Sequence, residues 1–422
     1  MAVPHDRRAT SGPKRLAVLG STGSLGIQVL ELCERFADRL QVVALAASGR
    51  RQELLGQQVR RFRPQLVAVG DATAPIGDAL RDAAGAARVV HGPDGLVEAA
   101  VHPDVDLVVV LTVGMAGLAP TLAALEAGKR VALGNKEVLV AAGELLPGAR
   151  LVAEGRLLPV DSEHSAVWQS LLGERHALPG GDGGGEAVTG PGAIRRLWLT
   201  ASGGPFWGWS AQRLRSVTPE QALAHPTWRM GPRVTIDSAT LVNKGFEIIE
   251  AHHLFGVPYP AIRVVVHRQS VVHSLVELRD GSIKAQMSLP DMRLPLLFAL
   301  SHPERWEYRG PAPLFEGHAP ERGPLSLTFE PLDEATEPPA IRLARRAAEA
   351  GSTYPAVLST ADEVAVEAFL AGRLAFDRIL PVVQETLDGH VPARVLSLEA
   401  VRWADDWARR TARRVVDEMR QA

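Results

Sequence analysis

The chain is poor in cysteine, in net charge and in unbroken apolar sequence. Its 422 residues include a single cysteine, Cys33. That excludes an intrachain disulfide framework and an all-cysteine metal site, and it suits a reducing cytoplasm. The 46 Lys+Arg stand against 48 Asp+Glu, for a formal net charge of −2. This balance excludes a broadly basic nucleic-acid binder and an acidic solvating tail, though not local patches. The first 13 residues are polar and lack the apolar core of a secretory signal. Leu107–Leu125 runs without a charge, but Gly114, Gly117 and Pro120 interrupt it. Its β-branched first third reads as a buried strand followed by a turn and a helix, not as a membrane span.

What is present is a globular composition, 46% hydrophobic and 22% charged, in a length that predicts about two to three domains. Short apolar runs at Leu16–Leu19, Val42–Ala46, Leu66–Val69, Leu107–Leu111 and Val131–Leu133 alternate with helical segments such as Gly26–Phe36 and Ala119–Ala127. That alternation predicts an α/β fold with an N-terminal Rossmann-like, doubly wound, mostly parallel sheet over residues 1–160. The glycine-rich stretch Gly180–Gly192 reads as a surface loop. Strands around Leu197–Leu199, Arg263–His267 and Ser282–Met287, with one helix over about Ser238–Phe255, predict a central α+β catalytic domain at residues 161–302. Dense Pro and Gly mark residues 303–339 as a linker. Helical periodicity in Ile341–Ala350, Asp362–Leu370 and Val401–Met419 predicts a C-terminal α-helical domain at residues 340–422.

After the first strand, Gly20, Gly23 and Gly26 recur at three-residue intervals and open into a helix. Such glycines let backbone N–H groups approach a pyrophosphate at a helix N-terminus. The second strand ends in Ser48, Gly49, Arg50 and Arg51, with no carboxylate until Glu53. That chemistry favours a 2′-phosphate over a ribose hydroxyl, hence NADP(H) over NAD.

Two further segments carry chemistry. Asp161 and Glu163 follow the strand Leu158–Val160; in an extended chain both project to one side, as hard oxygen ligands for Mg²⁺ or Mn²⁺. In the polar run from Asp237 to Glu250, Asn243 and Glu247 are i,i+4 neighbours on a helix, with Glu250 one turn on. Ser238 near the helix start and Lys244 are suited to an anion. The loop His225–Gly231 brings Trp228 and His225 into irregular chain, a lid that excludes water.

In order along the chain stand GSTGSLG, NKE at Asn135–Glu137, LLPVDSEHSA, TASGGPF, HPTWRMG, DSATLVNKGFEIIEA, QSVVHS and PDMR. From about Arg15 to the C-terminal helices the chain resembles the 1-deoxy-D-xylulose 5-phosphate reductoisomerase family of the non-mevalonate isoprenoid pathway. The resemblance implies an NADPH-dependent enzyme that uses Mg²⁺, Mn²⁺ or Co²⁺. It would rearrange its phosphorylated substrate by retro-aldol and aldol steps and reduce the product to 2-C-methyl-D-erythritol 4-phosphate. It implies a metal held by Asp161, Glu163 and Glu247, which together with Lys136 make the catalytic set. Substrate would be bound by Lys136, Ser162, Glu163, Ser202, His225, Trp228, Ser238, Asn243, Lys244 and Glu247. Cofactor would be bound by Gly20, Thr22, Gly23, Ser24, Leu25, Ser48, Gly49, Arg50, Asn135, Glu137, Met230, Gly231 and Met292. A cytoplasmic homodimer, with no nucleic-acid or membrane partner, is also implied.

The chain departs from the family pattern at Ser48 (usually glycine), Val138 (commonly serine), Arg268 (proline) and Asp362 (asparagine); none is a metal ligand. A semialdehyde dehydrogenase would need a nucleophilic thiol, and Cys33 in the first helix is badly placed for one. A simple sugar dehydrogenase stays open if the metal reading fails. A regulatory NADP-binding protein with a dead site is opposed by the complete ligand set.

Overall fold

The computed structural model describes residues 12–174, 193–228, 230–310, 314–315, 326–394 and 396–421. The Gly180–Gly192 loop therefore lies outside the described residues. Seven strands form the first sheet: β1 (Lys14–Leu19), β2 (Leu40–Ala47), β3 (Leu66–Val69), β4 (Arg88–His91), β5 (Leu107–Val110), β6 (Arg130–Leu133) and β7 (Leu157–Pro159). Their order is 4-3-2-1-5-6-7, and the pairs β1–β2, β1–β5, β2–β3 and β3–β4 are parallel. Leu16 to Leu19 and Leu107 to Val110 have no accessible surface. Strands covered on both faces carry continuous apolar runs, which is why these were readable. β4 was not, because only Val89 and Val90 are apolar in it. The charge-free stretch from Leu107 resolves into β5, a turn at Gly114–Gly117 and the helix Leu118–Glu126. Among the described residues no helix is long and apolar enough to cross a membrane.

The second sheet comprises β8 (Ile194–Ala201), β9 (Ile262–Val266), β10 (Val272–Leu278), β11 (Ile283–Met287) and β12 (Glu330–Pro331), in order 11-10-8-9-12. β8 runs parallel to β9 and antiparallel to β10. β12 pairs with β9 inside the stretch expected to be linker only.

The described residues form two compact units. The first runs up to Thr112 and from Ala116 to Ala132; the second takes Val113–Met115 and everything from Leu133 onward. The second unit thus begins before residue 160, and the helices from Pro339 onward share it with the α+β region. The reason is direct packing: a Cβ on Gly245, in the helix Val242–Phe255, would lie 2.5 Å from Ala344 Cβ in the helix Pro339–Ala350.

Two local expectations are corrected. The run Ser238–Phe255 is not one helix: Pro232–Thr240 and Val242–Phe255 are separated by Leu241, whose φ is +66°. Thr240 Oγ1 bonds back to the carbonyls of Ile236 and Asp237 at 3.2 and 3.1 Å, competing with helix continuation. Ser238 therefore lies near a helix end, not a start. Asp161 and Glu163 are not in extended chain either. The strand stops at Pro159, Asp161 takes the N-cap position and Glu163 enters the first turn of the helix Ser162–Leu171.

Candidate active site

In the first unit, the chain leaves β1 through Gly20, at φ +93°. A Cβ there would meet the Leu111 carbonyl oxygen at 2.6 Å, and one on Gly26 would lie 2.2 Å from Gly20 O. Both glycines are required by backbone contact. The helix Ser24–Arg35 has Gly23 as N-cap and no side chain capping it. Its first amides, from Ser24 and Leu25 onward, are thus presented to an anion at the point where strand order reverses. Thr22 is buried, and its carbonyl accepts from Arg51 Nη1 at 2.8 Å. Ser48 Oγ accepts the Arg50 amide at 3.4 Å, next to Gly49 at φ +96°. Of the two arginines that close the second strand, Arg51 is the guanidinium tied to the turn.

In the second unit, one cluster gathers residues more than a hundred positions apart. Asp161, at its N-cap, makes no capping bond; its Oδ2 instead lies 2.6 Å from Lys136 Nζ. Lys136 also donates to Asn243 Oδ1 at 2.7 Å and lies 3.4 Å from Glu247 Oε1. Asn243 Nδ2 donates to the same Glu247 oxygen, as the i,i+4 spacing requires. Lys244 Nζ donates to Glu163 Oε1 at 3.2 Å and to Glu247 Oε2 and the Thr200 carbonyl. Ser162 Oγ donates to Glu163 Oε2. Glu250 comes within 4.8 Å of Asp161 and His164: its Oε2 lies 3.5 Å from His164 Nδ1, while His164 Nε2 sits 2.9 Å from the Glu247 carbonyl.

Electrostatics follow from burial. Burial opposes charge on Lys136, but Asp161 and Glu247 raise its pKa well above the usual lysine value. Burial would raise Asp161, yet Lys136 and His164 hold it below the ordinary carboxylate range. Burial and the carboxylate of Glu163 push Glu247 up to about 7, against Lys244 and Lys136. Oxygens of Asp161, Glu163 and Glu247 come within 4.8 Å of one another. Three hard carboxylate donors at that spacing fit a small divalent cation.

A second group flanks this cluster. Gly203 and Gly204 have φ of +79° and +68°, and a Cβ on Gly204 would lie 2.7 Å from Ser238 O. Their turn brings Ser202 to the end of the helix bearing Ser238. Ser202 Oγ pairs with His225 Nε2 at 3.1 Å. His225 Nδ1 accepts the Thr227 and Trp228 amides at 3.1 and 2.9 Å, which leaves the proton on Nε2. Burial, then Arg268, lowers the His225 pKa and keeps it neutral. Trp228 stacks at a tilt, 5.9 Å between centroids, on His273, which the sequence reading had not singled out. Both line a cavity of about 330 Å³ with Ser162, Ser288 and Asp291. Asn135 Nδ2 donates to Gly114 O at 3.0 Å, and Glu137 Oε1 accepts the Gly114 amide at 3.2 Å. Gly231 is the N-cap of Pro232–Thr240 and Met292 that of Arg293–Ser301. Met230 is half-buried, and Met292 follows Asp291, which lines the cavity.

A chain with a Rossmann-type glycine turn and a buried three-carboxylate cluster flanked by lysines falls among the nucleotide-dependent oxidoreductases that use a divalent metal. Three family models match it: 1-deoxy-D-xylulose 5-phosphate reductoisomerase over residues 16–143, its C-terminal domain over 157–255, and the DXP reductoisomerase C-terminal domain over 287–411. The chain is 49% identical over 405 residues to the reductoisomerase of Symbiobacterium thermophilum, covering 95% of this chain and 98% of that one. It is 50% identical to that of Anaeromyxobacter dehalogenans, covering 96% and 97%. Among solved structures, it resembles the Zymomonas mobilis reductoisomerase in complex with NADPH (TM-score 0.80, 39% identity, 96% and 99% covered). A DOX-P reductoisomerase in complex with NADPH, fosmidomycin and magnesium matches with TM-score 0.83 at 36% identity, with 97% and 100% covered. The chain belongs to the 1-deoxy-D-xylulose 5-phosphate reductoisomerase family.

Proposed function

We propose that the clustered residues perform the family's reaction in the roles set out here. The enzyme converts 1-deoxy-D-xylulose 5-phosphate to 2-C-methyl-D-erythritol 4-phosphate with NADPH and a divalent metal. The observation that supports the assignment of residues is the buried contact set of Lys136, Asp161, Glu163, Asn243, Lys244 and Glu247. Asp161, Glu163 and Glu247 would hold the metal, which when bound polarises the substrate's carbonyl and adjacent hydroxyl, while NADPH supplies hydride.

The other roles follow from position. Lys136, held protonated by Asp161 and Glu247, donates to a substrate oxygen beside those carboxylates. Ser162, at the start of its helix, orients a neighbouring hydroxyl. Ser202 and Ser238, joined through the Gly203–Gly204 turn, would bind phosphate with Asn243 and Lys244, and neutral His225 fixes the Ser202 hydroxyl. Lys244 pairs with Glu163 and Glu247; were those carboxylates to hold the metal, its ammonium would be available to the phosphate. Trp228 covers the substrate and excludes water. For NADPH, the amides after Gly23 take the pyrophosphate, Ser48, Arg50 and Arg51 the 2′-phosphate, and Asn135, Glu137, Met230, Gly231 and Met292 the nicotinamide end. A homodimer rests on the family resemblance, and sedimentation tests it.

Treatment with EDTA should abolish NADPH oxidation with deoxyxylulose phosphate, and Mg²⁺ or Mn²⁺ should restore it. Full activity after verified metal removal would reject the assignment.

A further inference from the structure

Behind Glu137 lies an ionic cluster that the reaction does not use. Arg233 Nη1 sits 3.2 Å from Glu137 Oε1 and 2.9 Å from Glu363 Oε2, and its Nη2 donates to the Ser359 carbonyl at 3.2 Å. Its Nε is 3.9 Å from Asp237 Oδ2. Arg409 Nη1 holds the other oxygen of Glu363 at 3.0 Å. On the far side, Asp362 and Asp237 are within hydrogen-bonding reach of each other. They are 0% and 4% exposed. Both oxygens of Asp362 and Oδ1 of Asp237 meet no donor.

Two buried carboxylate groups in mutual contact, with Arg233 Nε 3.9 Å from Asp237 Oδ2 as the nearest cation, are not both ionised; a proton between them supplies the donor that Asp362 otherwise lacks. Around the pair, Glu137 and Glu363 share Arg233, Arg409 is divided between Glu363 and Asp405 at 3.5 Å, and Lys136 also acts on Asp237. Burial and Asp237 raise the Asp362 pKa well above the ordinary value, and burial brings Asp237 to about 6.

We infer that Asp362 is a positioning residue: at neutral pH it carries a proton, donates it to Asp237, and so leaves Arg233 engaged with Glu137 and the Gly114 turn. Ionising the pair would draw the guanidinium toward Asp237 and loosen Glu137. The link to NADPH rests on the reading of Glu137 as a cofactor residue; the shared proton does not.

Asp362→Asn replaces the protonated acid by an amide that donates the same bond and cannot ionise. A group protonated in the fold but not in the unfolded chain costs stability as pH rises. From about pH 4, where the unfolded chain releases this proton, up through neutrality the wild type should therefore lose unfolding stability relative to D362N, the gap widening with pH. Equal pH dependence of the two would overturn the shared proton. In NADPH-oxidation assays, the wild-type KM for NADPH should rise in the alkaline range and that of D362N stay flat. Asp362→Ala should raise that KM by about tenfold, with D362N restoring it. An altered unfolding profile with parallel NADPH KM profiles would overturn the positioning role. Failure of the activity assignment itself would show differently, as no NADPH oxidation by wild type.

Discussion

Glu247 is the residue on which most of the site converges. It is 1% exposed, accepts from Asn243 and Lys244, and has Lys136 at 3.4 Å. Its main-chain carbonyl is engaged by His164. Glu247→Gln keeps the shape and removes one anionic donor from the three. Loss of one ligand withdraws several kcal/mol of charge stabilisation, so turnover should fall roughly a thousandfold. NADPH affinity, measured by fluorescence titration, should stay within about twofold, because that removal leaves the glycine turn untouched. Unchanged turnover would reject the ligand role. Asp161 shows the same priority of function over local structure. An Asp at an N-cap ordinarily accepts the helix's free amides, yet this one is given to Lys136.

At the scale of elements, the glycine turn makes a graded test. An added Cβ at Gly26 meets backbone at 2.2 Å, whereas at Gly23 the nearest contact is 3.2 Å. Gly26→Ala must push the helix away from β1, at a cost of about 1–3 kcal/mol. It should lower the melting temperature and weaken NADPH binding by at least about tenfold; Gly23→Ala should do markedly less. Equal effects would mean the turn is not held by this contact. The turn was legible from sequence because its glycines, strand and helix are contiguous. So were β1, β2, β3, β5 and β6, where burial on both faces writes itself as apolar runs. The helix Pro232–Thr240 and its break at Leu241 were not, because side-chain competition at Thr240 leaves no periodic trace. The pairing of Lys136 with Asp161 and Glu247, and of Arg233 with Glu363, joins positions far apart in the chain. Residue types and the family pattern named several of these groups, but nothing local announced which would touch. His273 escaped for the same reason, gaining its meaning from Trp228 on another element, as did the contact of Arg51 with Thr22.

For the molecule as a whole, acid is the condition that should expose where the second unit is tightly closed. His253 lies at the end of the helix Val242–Phe255, its ring in the space left by Gly143, where a Cβ would come within 2.2 Å of its Cδ2. Its main-chain carbonyl is as close-packed, 2.4 Å from a Cβ built on Gly148. Burial, then His252, lowers its pKa from 6.5 to about 4. The unfolded chain therefore binds the proton that the folded chain refuses. The contribution is complete above pH 6.5 and is lost as pH falls toward about 4. Allowing for partial solvent access, it amounts to roughly 2 kcal/mol. His253→Gln cannot titrate, so its stability relative to wild type should improve steadily as unfolding is measured at decreasing pH across that window. Asp161, held down by Lys136, adds acid sensitivity of the same sign at lower pH, and both proteins share it. A wild-type to variant difference independent of pH would place His253 in contact with water and undo the argument for a closed junction between this helix and the Gly143–Gly148 segment.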